Sequence, residues 1–379
     1  LAASQISPDE GNAVDSLLLG YKWGDTTVGN GITVTYSFMT TASNMGSYSF
    51  EGIEIDLEGD GIVDPTAEQM NAFRAGLDAW SSVANINFIE VTETVTTSGD
   101  IRIGLTNTPV VDAAAYAIKP LTQEAANELI ADTEAEFSTD LDAESEAYLS
   151  NRSGDIIFNN TNADLANLGS GEYGQFAIMH EIGHALGLDH PHDDDVEVAD
   201  ASIDSIRFSV MSYRDHVGDE LEGYETNYFP NTPMLNDIAA IQYLYGANLS
   251  TNAGNTTYSW ANGSKVFETI WDAGGHDTVD VSNSTGATYI DLRPGSFSEY
   301  GLNIEFATGE SDNNALAIAR GVVLEDVVGS SYEDTIIGND ANNALQGGAG
   351  NDALTGGSGN DTFVFTTTSG FDTIADFSH

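Results

Sequence analysis

Four nine-residue units run in phase from Gly329, reading GSSYEDTII, GNDANNALQ, GGAGNDALT and GGSGNDTFV. A short fixed period with glycine at set places restricts the backbone more than anything else in this chain. The last two units match the pattern G-G-x-G-x-D-x-U-x throughout. In them Gly347, Gly348 and Gly350 precede Asp352, and Gly356, Gly357 and Gly359 precede Asp361. The first two units are degenerate, with Asp334 and Asn343 at the sixth position and Asp340 as a further candidate calcium ligand. Glycines allow tight turns and expose carbonyl oxygens. The Asp adds a charged oxygen ligand for Ca²⁺. Ile336, Leu345, Leu354 and Phe363 fill the eighth position and point into the core of a parallel β-roll. One such turn cannot bury its own apolar face, so stacking and calcium are both required. A flexible glycine-rich linker is the bland alternative, which the strict period and the placed Asp disfavour.

At 379 residues the chain is long enough for two domains. Ten basic against 60 acidic residues give a net charge of −50. That sign excludes nucleic acid as a partner, because phosphate binding needs basic residues. Two uses remain for the carboxylates: calcium ligation, and a solvated surface suited to salty water. Cysteine is absent, so there is neither a disulfide nor a thiolate metal site, and bound metal is the remaining staple. No apolar run reaches the ~18 residues of a membrane span, so no membrane partner is expected. Leu1 to Asp15 lacks the basic-then-apolar pattern of a Sec-type signal.

Ile32 to Phe38 alternates as a strand, and Ile86 to Val91, Ile101 to Leu105, Tyr116 to Pro120 and Asp155 to Asn159 read as further strands. Thr66 to Ala84 is an amphipathic helix with Met70, Phe73, Leu77, Trp80 and Ala84 on one face. Thr66 and Gln69 have the spacing of a capping box at its start. Further helices are expected over Glu172 to Gly187 and Met234 to Tyr245. Between the strands, residues 121–150 form an acidic, helix-prone insertion, read as a solvated surface helix rather than a substrate-selecting flap. After Tyr258 the texture changes to Gly, Asp, Asn, Thr and short apolar strands. The expected fold class is α+β. Residues 1–247 would form one domain of twisted mixed sheet and long helices, and residues 248–379 a parallel β-roll or β-sandwich.

Residues 180–190 read HEIGHALGLDH. His180 and His184 are four apart and project from one helical face. Two imidazoles at that spacing can grip one Zn²⁺ at about 2.0–2.1 Å. Glu181 lies beside the first ligand, where a base for an activated water belongs. Gly187 permits the left-handed turn that ends the helix, so the chain can bring His190 back as third ligand. Three protein ligands leave a position open, which marks a catalytic rather than a structural site. HExxH alone is moderately specific, because Glu and His are ordinary helix-surface residues. The extended HExxHxxGxxH form is far more so.

That extended motif resembles the metzincin metallopeptidases. SVMSY at Ser209 to Tyr213, DIAAIQYLYGAN, WDAGGHDTVD and the glycine-rich repeats are similar to the serralysin branch across nearly the whole chain. The resemblance implies a metzincin catalytic domain followed by a calcium-binding repeat domain. It implies that Met211 forms an apolar floor beneath the metal. Tyr213 would bind zinc in the resting enzyme and swing to stabilise the oxyanion. Asp272, Gly274 and Asp277, with Glu325, match another calcium position of the family. Asn252 and Asn255 stand where the family has Arg and Asp, so a linker site there is expected to be weakened. The resemblance further implies one catalytic Zn²⁺, several structural Ca²⁺, secretion by a type I route, and a monomer. Protein or peptide substrates would pair with the edge strand near Ala115 to Ile118, and a proteinaceous inhibitor is a second class of partner. The 121–150 insertion is longer and more acidic than the family pattern, and the chain stops at His379, short of the β-structure that carries a secretion signal.

A separate loop, Asp56 to Asp64, places Asp56, Glu58, Asp60 and Asp64 at positions one, three, five and nine of an EF-hand-like loop with Gly61 at six. Position twelve is Ala67 rather than Glu, so calcium competes there with an acidic surface turn as the reading. Two functional classes stand at this point: a secreted zinc endopeptidase, or a non-catalytic calcium-dependent adhesion or matrix protein. The repeats fit both; the intact zinc motif favours the first.

Overall fold

The computed structural model describes residues 3–5, 12–41, 43, 47–50, 53–56, 61–94, 97–107, 115–120, 153–161, 167–192, 199–219, 224, 226–301, 303–305, 311–312, 315–367 and 369–377. The 121–150 insertion, Glu58 and Asp60 lie outside them. The chain divides into two compact units. The first comprises Leu1–Asp204, Val210–Ser212 and Ala240–Ala247; the second comprises Ser205–Ser209, Tyr213–Ala239 and Asn248–His379.

The first unit is built on a five-stranded sheet. Its strands are β1 (Ile32–Phe38), β2 (Ile86–Glu90), β3 (Ile101–Thr106), β4 (Ala115–Ala117) and β5 (Ile156–Asn159), in the order β2-β1-β3-β5-β4. The first four in that order run parallel, and β4 closes the edge antiparallel to β5. β3 is buried along its whole length, as expected of a central strand. The edge strand is shorter than the alternation over Tyr116 to Pro120 predicts. Pro120 has no N–H to give a ladder, and Ile118 instead pairs outside the strand with Asp155 and Gly154.

Helix α1 (Ala67–Val83) starts with the expected capping box: Thr66 Oγ1 accepts from Gln69 N at 3.2 Å, and Gln69 Oε1 accepts from Thr66 N at 2.9 Å. Its buried face, with Phe73, Leu77 and Trp80, follows the three- and four-residue spacing. Helix α2 (Tyr173–Leu186) packs beside it and is buried on nearly every side. A Cβ on Gly76 would come within 2.6 Å of Ile178, so the glycine sets how closely the two helices approach. Helix α3 (Leu235–Tyr245) contributes its first half to the second unit and its second half to the first. Among the described residues no helix is long and apolar enough to cross a membrane.

The second unit is dominated by two parallel sheets. One has the order β6 (Thr257–Tyr258), β7 (Thr278–Asp280), β9 (Asp326–Val328), β11 (Ala344–Gln346), β13 (Thr362–Phe363). The other has the order β8 (Tyr289–Asp291), β10 (Thr335–Ile337), β12 (Ala353–Thr355), β14 (Thr373–Ile374). Register partners in the repeats differ by 18 residues, as in Thr335 with Ala353 and Ala344 with Thr362. One full coil of chain therefore spends two nonapeptides, and successive units alternate between the sheets. The eighth-position residues stack accordingly: Ile336 over Leu354 in one sheet, Leu345 over Phe363 in the other. Ile336, Leu345 and Leu354 are fully buried.

Candidate functional site

Helix α2 carries the first two histidines, and its C-terminal end is fixed by side chains from distant sequence. The last carbonyls of a helix lack partners within the helix. Here Trp23 Nε1 donates to Ala185 O at 2.7 Å, and Tyr245 Oη donates to Leu186 O at 2.7 Å. Gly187 takes φ 105° and donates its N–H back to His184 O and Gly183 O. A side chain on Gly187 would also run into Tyr21 O, so both conformation and space demand glycine. The chain then returns at Leu188, whose N–H reaches Gly183 O at 3.0 Å.

The outcome is a convergence of three imidazoles. His180 Nε2 lies 3.1 Å from His184 Nε2 and 3.2 Å from His190 Nε2, and the last two are 3.0 Å apart. His180 Nδ1 meets Val210 O at 2.8 Å, and His184 Nδ1 meets Leu188 O at 2.9 Å. A carbonyl can only accept, so both Nδ1 atoms carry the proton and both Nε2 atoms present lone pairs. Lone pairs facing one another repel unless a cation lies between them. Ligands at about 2.0–2.1 Å in a tetrahedron are about 3.3 Å apart, so the observed spacing suits one Zn²⁺. Burial, together with the neighbouring His190 and His180, holds His184 well below the usual histidine range, so it stays neutral and able to ligate.

Glu181, next to His180 in the sequence, is buried, and its Oε2 has no hydrogen-bond partner among the described residues. Burial pushes its carboxyl up from 4.5 to about 8. A buried carboxyl so perturbed, one residue from a candidate metal ligand, suits a proton-transfer group. The same burial fixes a stability signature for the zinc-free protein. Folded, Glu181 keeps a proton across pH 4.5 to 8 that the unfolded chain releases, so its contribution to stability falls as pH rises through that window. Zinc-free Glu181→Gln should match the parent near pH 4 and exceed it by a few kcal/mol near pH 9 in urea unfolding, at about 1.4 kcal/mol for each tenfold change in proton affinity. Equal stability of the two at pH 9 would show that the carboxyl is not buried without a partner.

Met211 is fully buried in the first unit. A Cβ on Gly183 would approach its Sδ within 2.6 Å, so the glycine between the two helical histidines makes room for it. Tyr213 falls in the second unit, half-buried, with its ring 6.2 Å from that of Tyr224.

The calcium candidates divide by how well protein donors already serve them. Asp352 is buried; its Oδ1 accepts from Asp334 N at 2.9 Å, and its Oδ2 has no partner among the described residues. Burial, with the carboxylates of Asp372 and Asp334, pushes its pKa up. Side chains on Gly347 and Gly356 would collide with Asp352 and Asp361, so each carboxylate folds back over the first glycine of its own unit. Asp361 also accepts from Asn343 N at 3.1 Å, whereas Asp340 is exposed. In the degenerate units other protein groups already serve the sixth residue. Asp334 accepts from Ser330 N at 2.6 Å and Thr288 N at 2.7 Å. Asn343 donates to Glu325 O at 2.8 Å and accepts from Asn339 N at 2.9 Å.

At the other position, Asp272 accepts from Tyr258 Oη at 2.6 Å and Gly274 N at 2.7 Å. Asp277 is buried with Oδ2 lacking a partner among the described residues, and Glu325 accepts from its N–H at 2.8 Å. Burial and the nearby Asp272 raise the Asp277 pKa. Asn252, at φ 51°, donates to Tyr258 Oη at 3.0 Å. Asp64, the one acid of the EF-hand-like loop whose side chain is described, already accepts from Thr41 N at 2.8 Å. For Asp56 only the strand backbone, Ile53–Asp56, is described.

Two family profiles match the chain. Matrixin covers residues 58–205, and the serralysin C-terminal domain of peptidase family M10 covers residues 236–379. Among curated proteins, Serralysin B of Dickeya chrysanthemi is 34% identical over 341 residues, covering 83% of this chain and 60% of that protein. Serralysin of Proteus mirabilis is 32% identical over 345 residues, again 83% and 60%. Metallopeptidase AprA of Pseudomonas marginalis is 34% identical over 330 residues, 81% of this chain and 60% of that protein. The chain thus spans about 60% of the length of these relatives.

Proposed function

The chain belongs to the serralysin-type M10 metallopeptidases, and from that membership we propose that it is a secreted zinc-dependent endopeptidase acting on protein substrates. The observation that carries the reading is the convergence of three Nε2 atoms within 3.2 Å of one another, with the buried Glu181 on the residue after the first of these histidines. His180, His184 and His190 would hold the zinc. When bound, zinc supplies Lewis acidity to the attacking water and to the scissile carbonyl.

Glu181 takes the proton of the attacking water at Oε2 and delivers it to the leaving amine nitrogen. Protonated Glu181 in the zinc-free site must give up its proton before it can do so, and a dication next to it favours that loss. Tyr213 would serve as the oxyanion partner. Among the described residues β4 ends the sheet, so an extended peptide would add beyond it as a further strand. The catalytic domain is assigned to residues 1–247 and the calcium-binding domain to residues 248–379. Calcium is assigned to the turns of Asp352 and Asp361 and to the Asp272, Gly274, Asp277 and Glu325 group. The Asp334 and Asn343 turns close on protein donors instead. Casein cleavage that is abolished by a chelator and by Glu181→Ala supports the peptidase; cleavage surviving Glu181→Ala overturns it in favour of a protein that binds calcium without catalysis.

A further inference from the structure

His180 and His184 stand on a helix, but His190 sits on the segment that follows Gly187, so something other than a helix must fix it. The residue before it supplies the contact. Asp189 is completely buried, and its Oδ1 accepts the His190 N–H at 3.0 Å. Its own N–H is tied to Leu17 O at 3.0 Å. The charge that compensates this buried carboxylate comes from Lys119, whose Nζ lies 3.2 Å from Oδ1 and 3.0 Å from Oδ2. Lys119 is the second residue after β4. The intervening Ile118 is held at both ends, its N–H to Asp155 O at 2.7 Å and its carbonyl to Gly154 N at 2.9 Å. One ion pair therefore joins the segment of the third histidine to the end of the edge strand.

We infer that Lys119 and Asp189 form a positioning latch that fixes His190 and ties its place to the strand along which substrate would lie. The inference rests on reading His190 as a zinc ligand. A buried carboxylate stripped of its cation is costly, and the segment can relieve the cost by opening Asp189 to water. The Asp189 contact to the His190 N–H goes with that opening. Partners one step removed from a metal ligand typically carry about 10–100-fold in metal affinity.

The full chain, loaded with zinc and calcium, is mixed with a chromogenic chelator and the rate of zinc transfer is followed. Lys119 is 36% exposed, so Lys119→Met should still fold, with the uncompensated Asp189 lowering the melting temperature of its zinc-free form. Zinc should leave Lys119→Met at least about tenfold faster than the parent. Lys119→Arg should restore the slow rate. Asp189→Asn should release zinc faster as well, and the double variant should be no faster than the worse single one, as expected for two groups acting through one contact. Parent-like release from Lys119→Met, or effects that simply add, overturns the latch while leaving the zinc site intact. A parent chain that takes up no zinc overturns the zinc reading, and the latch with it.

Discussion

Glu181→Gln should lower kcat by about 10²–10⁴-fold, with zinc still at one per chain and KM little changed. Gln keeps the shape of the side chain and removes only its ability to take a proton. The three imidazoles stay because their placement depends on other groups: the carbonyls of Val210 and Leu188, the Gly187 turn and the capped end of α2. Metal content and proton transfer are thus separable here, and the variant separates them. The check is a kcat measured on a peptide substrate together with elemental analysis of the same sample. A variant that retains zinc and loses less than about tenfold in kcat would remove Glu181 from the proton-transfer role. One that loses zinc along with activity would show that the carboxylate helps to build the site.

Stripping calcium should lower the melting temperature of the repeat unit by about ten degrees or more. A ligand at a hundred times its Kd stabilises by about 2.7 kcal/mol per site. In a domain of this size each kcal/mol moves the melting temperature by about 2–8 °C. The unit has no disulfide to replace that contribution. Its buried Asp352 and Asp277 each leave one carboxylate oxygen without a partner among the described residues, a state that costs free energy until a cation arrives. Asp352→Asn should therefore melt lower than the parent in calcium, with the gap closing in chelator. Asp334→Asn should behave differently, because Ser330 and Thr288 already donate to that carboxylate. Its loss should appear in both conditions. Calorimetry with and without calcium reads all three, and a parent melting temperature indifferent to calcium would contradict the assignment.

Local chemistry was the legible part of this protein. The i, i+4 spacing of His180 and His184, the glycine at 187 and the capping box at Thr66 and Gln69 each depend on contacts within a few residues, so they can be read directly. The nine-residue period was equally open to reading, and the 18-residue register follows from it once successive units alternate between two sheets. What stayed hidden are contacts made across long stretches of chain. Trp23 caps Ala185, 162 residues away, and Lys119 meets Asp189 at a separation of 70. Neither has a local signature, although Asp189 stands inside the zinc motif itself. The degenerate units were legible as departures from the pattern. That Asn343 closes its turn through Asn339 and Glu325 needed coordinates, because it depends on which carbonyls come within reach. The acidic 121–150 insertion lies outside the described residues, as do Glu58 and Asp60.

X-ray absorption at the zinc edge of the purified chain addresses the triad most directly. One zinc per chain is predicted, with three imidazole nitrogens at about 2.0–2.1 Å and oxygen completing the shell. A protein that holds no transition metal, or zinc whose shell lacks three imidazoles, would contradict the account.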